Sequence, residues 1–323
     1  MNQDPRPVVV VSRCLELAAC RWNGVSVACP FVRSLQAHAD LRPVCPEVEL
    51  GLGVPREPVR LLLRDGGRRL VQPATGRDLT EAMDRFARTY LDGLSEVDGF
   101  LLKSRSPSCG IKEAKLYRGP ERGAYVEGKV SGAFAAAVLE RFPGHAIEDE
   151  GRMLNFRARE HFLVRIFAFA RFRRARASGR MAELVRFQAD NKLLLMAHSQ
   201  KHMRELGRAV ANHERLPFDA VAARCETVLR AALARPSRPS NEVNVLLHAQ
   251  GFFGRTLAAR EKRYFESALQ QFRDGRLPLS AVAGIVHAHA VRFEIPWLLS
   301  QTFFRPYPEA LVDLADSGKG REL

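Results

Sequence analysis

The six cysteines include no C-x2-C pair, so the local ligand pattern of common ferredoxins and zinc ribbons is missing. Neither a Walker A pattern nor an adenylating glycine-rich loop occurs, which sets aside the ATP-dependent activation that inserting sulfur into a base usually needs. Low-complexity tracts and convincing internal repeats are also lacking. A composition 46% hydrophobic and 27% charged then predicts a chain that folds over most of its length. The polar residues 1–7 and the brief apolar run at 8–11 have the make-up of neither a signal sequence nor a membrane span. The expected location is the cytosol, away from membranes, where cysteines act as thiols, ligands or catalytic groups rather than structural disulfides.

What is present divides the 323 residues in two. Short apolar runs at 8–11, 41–44 and 100–102 alternate with amphipathic stretches at 31–39, 82–94 and 133–141. That alternation predicts an α/β N-terminal domain with a mostly parallel sheet. The polar stretch 60–78, with Gly66, Gly67 and Pro73, reads as a hairpin or surface excursion. From about Glu148 apolar residues recur at helical spacing through 153–177, 181–206, 218–234, 243–272 and 279–293, which predicts an all-α C-terminal domain. The expected domains are 1–147 and 148–323, with residues 142–150 as the boundary.

Cys14, Cys45 and Cys109 each follow an apolar run that reads as a strand. In an open parallel sheet, loops beyond the carboxyl ends of strands gather on one edge, so these thiols can meet although distant in sequence. Three converging thiolates suit an iron–sulfur cube with one iron left open; soft sulfur donors also suit zinc, and buried inert thiols are the plain alternative.

The residues around those cysteines come in a distinctive order: Ser12-Arg13-Cys14-Leu15, Cys20-Arg21-Trp22-Asn23-Gly24, Val44-Cys45-Pro46-Glu47-Val48 with Gly51-Leu52-Gly53-Val54-Pro55-Arg56, Gly76-Arg77-Asp78-Leu79-Thr80, and Leu102-Lys103-Ser104-Arg105-Ser106-Pro107-Ser108-Cys109-Gly110. From about Val8 to Arg141 this order resembles the DUF523 family, which includes the thiouracil desulfidases. The family's usual Leu-Leu-Gly after the first cysteine is Leu15-Glu16-Leu17 here, and its Tyr-Asp is Trp22-Asn23. The resemblance implies a [4Fe–4S] cluster on Cys14, Cys45 and Cys109, with Cys20 the competing ligand. It also implies Glu47 and Ser106 as catalytic residues. Ser108, Lys103 and Arg21 are the candidate substrate-binding donors, and an ion pair from Glu47 to Arg13, Arg21 or Arg56 is the plain alternative to catalysis.

In the second half, His198-Ser199-Gln200-Lys201-His202-Met203-Arg204-Glu205-Leu206-Gly207-Arg208 and Asn244-Val245-Leu246-Leu247-His248-Ala249-Gln250-Gly251-Phe252-Phe253 resemble DUF1722. A DUF523–DUF1722 fusion looks like the tRNA 4-thiouridine desulfidases and implies a tRNA-binding helical half. The charge agrees with a polyanionic partner: 50 Lys and Arg face 36 Asp and Glu, a formal +14. Residues 152–180 hold nine arginines and one acid, Glu160, among Phe162, Phe167, Phe169 and Phe172. At helical spacing the phenylalanines read as core, and Arg171, Arg173, Arg174, Lys201, Arg204 and Arg208 are the candidate tRNA contacts. His198 and His202, one turn apart, lack an evident third ligand for a metal.

The expectation for the whole chain is desulfidation of 4-thiouridine in tRNA to uridine with release of sulfide, with no obligatory protein partner. The alternatives are desulfidation of free thiouracil, or a non-catalytic iron–sulfur sensor that binds nucleic acid.

Overall fold

Four consecutive valines open β1 (Val8–Ser12), and every residue of the strand is buried. A run apolar on both faces belongs inside a parallel sheet covered on both sides. The computed structural model, which describes residues 5–64 and 66–316, builds that sheet. The outer limits of the two expected domains, residues 1 and 323, lie outside the described residues.

After β1 the chain forms α1 (Pro30–Leu35), β2 (Asp40–Val44), α2 (Pro46–Glu49), β3 (Arg60–Arg64), β4 (Gly67–Gln72), β5 (Arg77–Asp78), α3 (Thr80–Asp92), β6 (Gly99–Leu102), β7 (Ala114–Tyr117), β8 (Val126–Val130), α4 (Ala133–Arg141) and β9 (Ala146–Asp149). One sheet has the order β2-β1-β6-β9, with every neighbour parallel. Pro43 lies in β2, an edge strand, where a missing backbone donor is tolerated. In β6, Gly99 has no room for a side chain: a Cβ there would stand 2.7 Å from Ile166 Cγ2 and 2.9 Å from the Ala146 carbonyl oxygen. The chain leaves β1 for β2 on one side and returns to β6 on the other, which opens a crevice beyond the carboxyl end of β1.

A second sheet, β5-β4-β3-β7-β8, went unread in the sequence. The stretch 60–78 does form a hairpin, β3 against β4, but it is no mere excursion. Leu61 and Leu70 pack in one core with Val10, Met83, Phe100 and Phe134. Residues 142–150, read as a boundary, contain β9, the fourth strand of the parallel sheet.

The rest is helical: α5 (Phe156–Ala177), α6 (Met181–Asp190), α7 (Lys192–His198), α8 (Gln200–Ala211), α9 (Phe218–Ala232), α10 (Pro239–Gly251), α11 (Ala259–Arg273), α12 (Leu279–Arg292) and α13 (Pro296–Leu299). The described chain divides into two compact units, residues 5–170 with 310–316, and residues 171–309. Phe162, Phe167, Phe169 and Phe172 are all buried, as helical spacing predicts for core. In the second unit the long pattern at 181–206 is broken into three helices. Asn191, at the α6–α7 turn, bonds back to the Phe187 carbonyl at 2.8 Å, and Ser199 caps α8 through the His202 N–H. Gln301, almost fully buried, accepts from the Leu193 N–H at 3.0 Å and donates to the Ala189 carbonyl at 2.8 Å. No described helix is long and apolar enough to cross a membrane.

Candidate active site

Each cysteine that follows a strand sits where its strand ends. Cys14 lies two residues past β1, Cys45 immediately past β2, and Cys109 in the loop after β6. Together with Cys20 they line one cavity of about 420 Å³, shared with Ser12, Arg21, Trp22, Glu47, Arg56, Lys103 and Ser106.

Pro46 at the first position of α2 starts the helix at once, so Cys45 is held at its cap and Glu47 in its first turn. Both Glu47 oxygens are engaged. Oε1 accepts from the Ser108 hydroxyl at 2.8 Å, and Oε2 accepts from Arg56 Nε at 2.9 Å and pairs with Nη2 at 2.7 Å. Arg56 in turn donates through Nη1 to the carbonyls of Cys20 and Gly53, both at 3.0 Å. Of the three arginines considered for Glu47, the partner is Arg56; Arg13 pairs with Glu49.

The loop after β6 is clamped by α4. Gly132 donates to the Gly110 carbonyl at 2.7 Å, Ala133 to Pro107 at 2.9 Å and Ala135 to Ser108 at 3.0 Å. A Cβ on Gly132 would come within 2.6 Å of the Ser108 carbonyl, and one on Gly110 within 2.8 Å of the Ser106 carbonyl oxygen, so both positions need glycine for close approach. Inside this clamp Ser106 Oγ accepts the N–H groups of Ser108 at 3.2 Å and Cys109 at 3.0 Å. Its own hydroxyl proton remains to be donated at the cavity wall. Ser108 is fully buried with its proton directed to Glu47, and so acts on Glu47 rather than on the cavity. The Lys103 ammonium is held by Glu150 at 2.5 Å and by Ser104, while its backbone N–H donates to Ser12 Oγ at 2.9 Å. Arg21 is half-buried in the lining.

Burial pushes the Cys14 thiol up to about 12, reinforced by Cys20 and Cys45 and opposed by Lys103 and Arg21. Burial, then Cys45, pushes Cys20 up to about 11, and burial pushes Cys109 well up. Thiols crowded this way are held protonated unless a cationic centre takes their charge. That need, and an all-sulfur donor set drawn from separate loops, fits an iron–sulfur core. Among the described residues no three His, Cys, Asp or Glu side chains stand close enough to share a single metal ion; a four-iron cube instead takes each thiolate at a separate corner. Cys29 and Cys225 are buried outside the cavity lining.

The sequence reading named Arg56 only as one of three possible partners for Glu47, and it missed the parts played by Ser12 and Glu150, which act through contacts made only after folding. The Val-Pro-Arg that ends the motif beginning Gly51 was the available signal for Arg56.

The arginine-rich segment is used in two ways. Arg159 is buried and donates to the carbonyls of Met153, Asp313 and Ala315; Arg165 donates to those of Gly144 and His145. Arg171, also buried, donates to the Pro306 carbonyl at 2.8 Å. Arg173 is half-buried and Arg174 exposed. Lys201, Arg204 and Arg208 are exposed at spacings of three and four, along one face of α8. Residues 171–309 carry 23 Lys and Arg against 12 Asp and Glu, a formal +11 of the chain's +14. His198 Nδ1 bonds to the Leu194 carbonyl at 3.0 Å and His202 Nδ1 to Ser199 Oγ at 2.9 Å.

Comparison with known proteins matches two stretches of the chain to two families. Residues 9–150 match the family described as 2-thiouracil desulfurase, and residues 192–308 match DUF1722, described as a protein of unknown function. The uncharacterized protein YbgA of Escherichia coli (strain K12) is 28% identical over 158 residues, 48% of this chain and 93% of that protein. The uncharacterized protein YbbK of Bacillus subtilis (strain 168) is 29% identical over 153 residues, 45% of this chain and 97% of that protein. Among solved structures, the [4Fe-4S]-dependent thiouracil desulfidase TudS is 29% identical, covering 46% of this chain and 93% of its own, with a TM-score of 0.36.

Proposed function

Since residues 9–150 form a 2-thiouracil desulfurase domain and residues 192–308 a DUF1722 domain, we propose that this desulfidase acts on 4-thiouridine in tRNA and uses a [4Fe–4S] cluster. The observation that carries the reading is the cavity where thiols from three strand ends meet Glu47 and Ser106. The overall change replaces C=S by C=O: water adds to the ring carbon, its protons are removed, and sulfide leaves.

Cys14, Cys45 and Cys109 would hold the cluster, with Cys20 beside them. When bound, it supplies a soft Lewis acid suited to a thiocarbonyl sulfur. Glu47 is the base that takes the proton of the attacking water. A carboxylate offers about four acceptor positions, and Arg56 and Ser108 fill three of them while fixing its orientation. Ser106 donates its hydroxyl to the base as negative charge develops, from a loop whose backbone is fixed before substrate arrives. The tRNA chain is held by the helical unit, whose +11 charge includes the exposed Lys201, Arg204 and Arg208.

The test is anaerobic reconstitution with iron and sulfide, followed by incubation with 4-thiouridine-containing tRNA and, in parallel, free 2- and 4-thiouracil. Loss of thiocarbonyl absorbance from tRNA with sulfide release supports the proposal. Turnover of the free bases alone would replace tRNA by free thiouracil as substrate. No turnover by a verified cluster protein would leave the sensor reading.

A further inference from the structure

One face of α10 has no use in the reading above. Its exposed residues Asn244, Leu247, His248 and Gly251 run to Phe252, just past the helix end. The Phe252–Phe253 pair splits: Phe253 is fully buried, whereas Phe252 keeps 47% of its surface in solvent. The hydrophobic effect alone would cover such a ring. Instead Phe252 stacks on Trp297, centroids 5.1 Å apart and planes 18° from parallel. Trp297 is itself only half-buried, on α13 just after Pro296. Lys192, the first residue of α7, places Nζ 6.0 Å from the Trp297 ring centre, and His248 meets Phe252 edge-on at 5.9 Å.

We propose that the Phe252–Trp297 stack, with Lys192 and His248 beside it, is a binding site for an unpaired nucleobase of single-stranded or loop RNA. An aromatic face open to solvent accepts any base by stacking, and a neighbouring cation meets the attached phosphate. Charge selects RNA over an apolar protein partner: the unit holding the stack carries +11, and Arg255 is exposed three residues beyond Phe252. The site rests on the reading that the helical unit binds RNA, and adds to it a preference for unpaired over duplex strands.

The chain has two tryptophans, so Trp22→Phe leaves Trp297 as the sole indole reporter. The full-length variant is titrated with a short oligouridylate and with a duplex RNA of equal length, at several salt concentrations. The expected result is quenching of Trp297 emission by the single strand. Phe252→Ala should weaken single-strand binding by roughly fivefold or more, the scale of one base–aromatic stack, while the salt slope stays unchanged. Phe252→Tyr should restore binding, which separates stacking from a folding defect. Full-affinity RNA binding with unchanged Trp297 emission would overturn the site and leave the RNA reading standing. Failure of the parent protein to bind either RNA at low salt would end both. Concentration-dependent self-association abolished by Phe252→Ala, without any RNA effect, would overturn the proposal and give this face to a second copy of the chain.

Discussion

The charges that line the cavity of the sheet-bearing unit are turned inward in pairs, and those along α8 of the helical unit are turned out. Around the cavity, the side chains of Arg56 and Glu47 are 4% and 12% exposed, and those of Lys103 and Glu150 are 18% and 13%. On α8, by contrast, the Lys201 side chain is 76% exposed and reaches Glu205 only at 3.9 Å. Paired buried charges are fixed in place and costly to disturb, as a catalytic constellation requires. Solvated charges contribute little to stability and stay available to a polyanion.

That contrast is most severely tested at the cysteines. Cys109→Ser should abolish iron retention and turnover together, measured by iron content and visible absorbance after anaerobic reconstitution; retained iron would remove Cys109 from the donor set. Next in size, Glu47→Gln should lower kcat by about 10²–10⁴-fold with the iron content unchanged, the usual scale for loss of a general base. Arg56→Leu leaves Glu47 without its ionic partner and should cost about 3–5 kcal/mol in denaturant unfolding. Arg204→Leu, on the exposed face of α8, should stay within about 0.5 kcal/mol. If the two changes cost the same, the inward–outward distinction fails. Replacing Lys201, Arg204 and Arg208 together by Ala should reduce the salt slope of tRNA binding by about 2–3 and leave turnover of free thiouracil unchanged.

The smallest effect separates the units by pH. Burial raises Glu148 and Asp149 above the usual carboxylate range, so the folded sheet unit takes up protons before the unfolded chain does. Their contribution is full below the unfolded carboxylate values and is lost as pH rises through the folded ones. Burial lowers His287 and His289, the first also through Arg305 and the second also through Arg292, with Glu309 and Glu261 opposing. Their contribution is full above the unfolded histidine value and is lost as pH falls through the folded ones. Peptide-resolved hydrogen exchange between neutral and mildly acidic pH should therefore show α12 losing protection while β9 gains it. Equal changes in both would refute the assignment.

The sequence showed what depends on order along the chain. A cysteine after each apolar run, with Pro46 and Glu47 next to one of them, is enough to put the thiols and the acid on one sheet edge. It did not show what depends on distant contacts. Ser12 meets Lys103 across 91 residues, and of three candidate arginines only the fold selects Arg56 for Glu47. The second sheet was hidden because β8 mixes charged and apolar residues over a short span and the β3–β4 hairpin meets β7 and β8 only through the β3–β7 pairing. Among the α5 arginines read as RNA contacts, Arg171 is buried, for a related reason. Charge in a sequence reads as solvated, yet one guanidinium has five donors and can gather several carbonyls at once, as Arg159 does.

The strand order of the parallel sheet also sets when the site can exist. Residues 14, 45 and 109 come together only after β1 has acquired β2 on one side and β6 on the other. A growing chain that has emerged only as far as α2 holds Cys14 and Cys45, and Cys109 arrives with the loop after β6. Closing such long loops is slow and cooperative. If these thiols hold the proposed cluster, iron delivered to an unfinished chain would find an incomplete set of donors, maturation would wait for the sheet to close, and the bound metal would certify a completed fold.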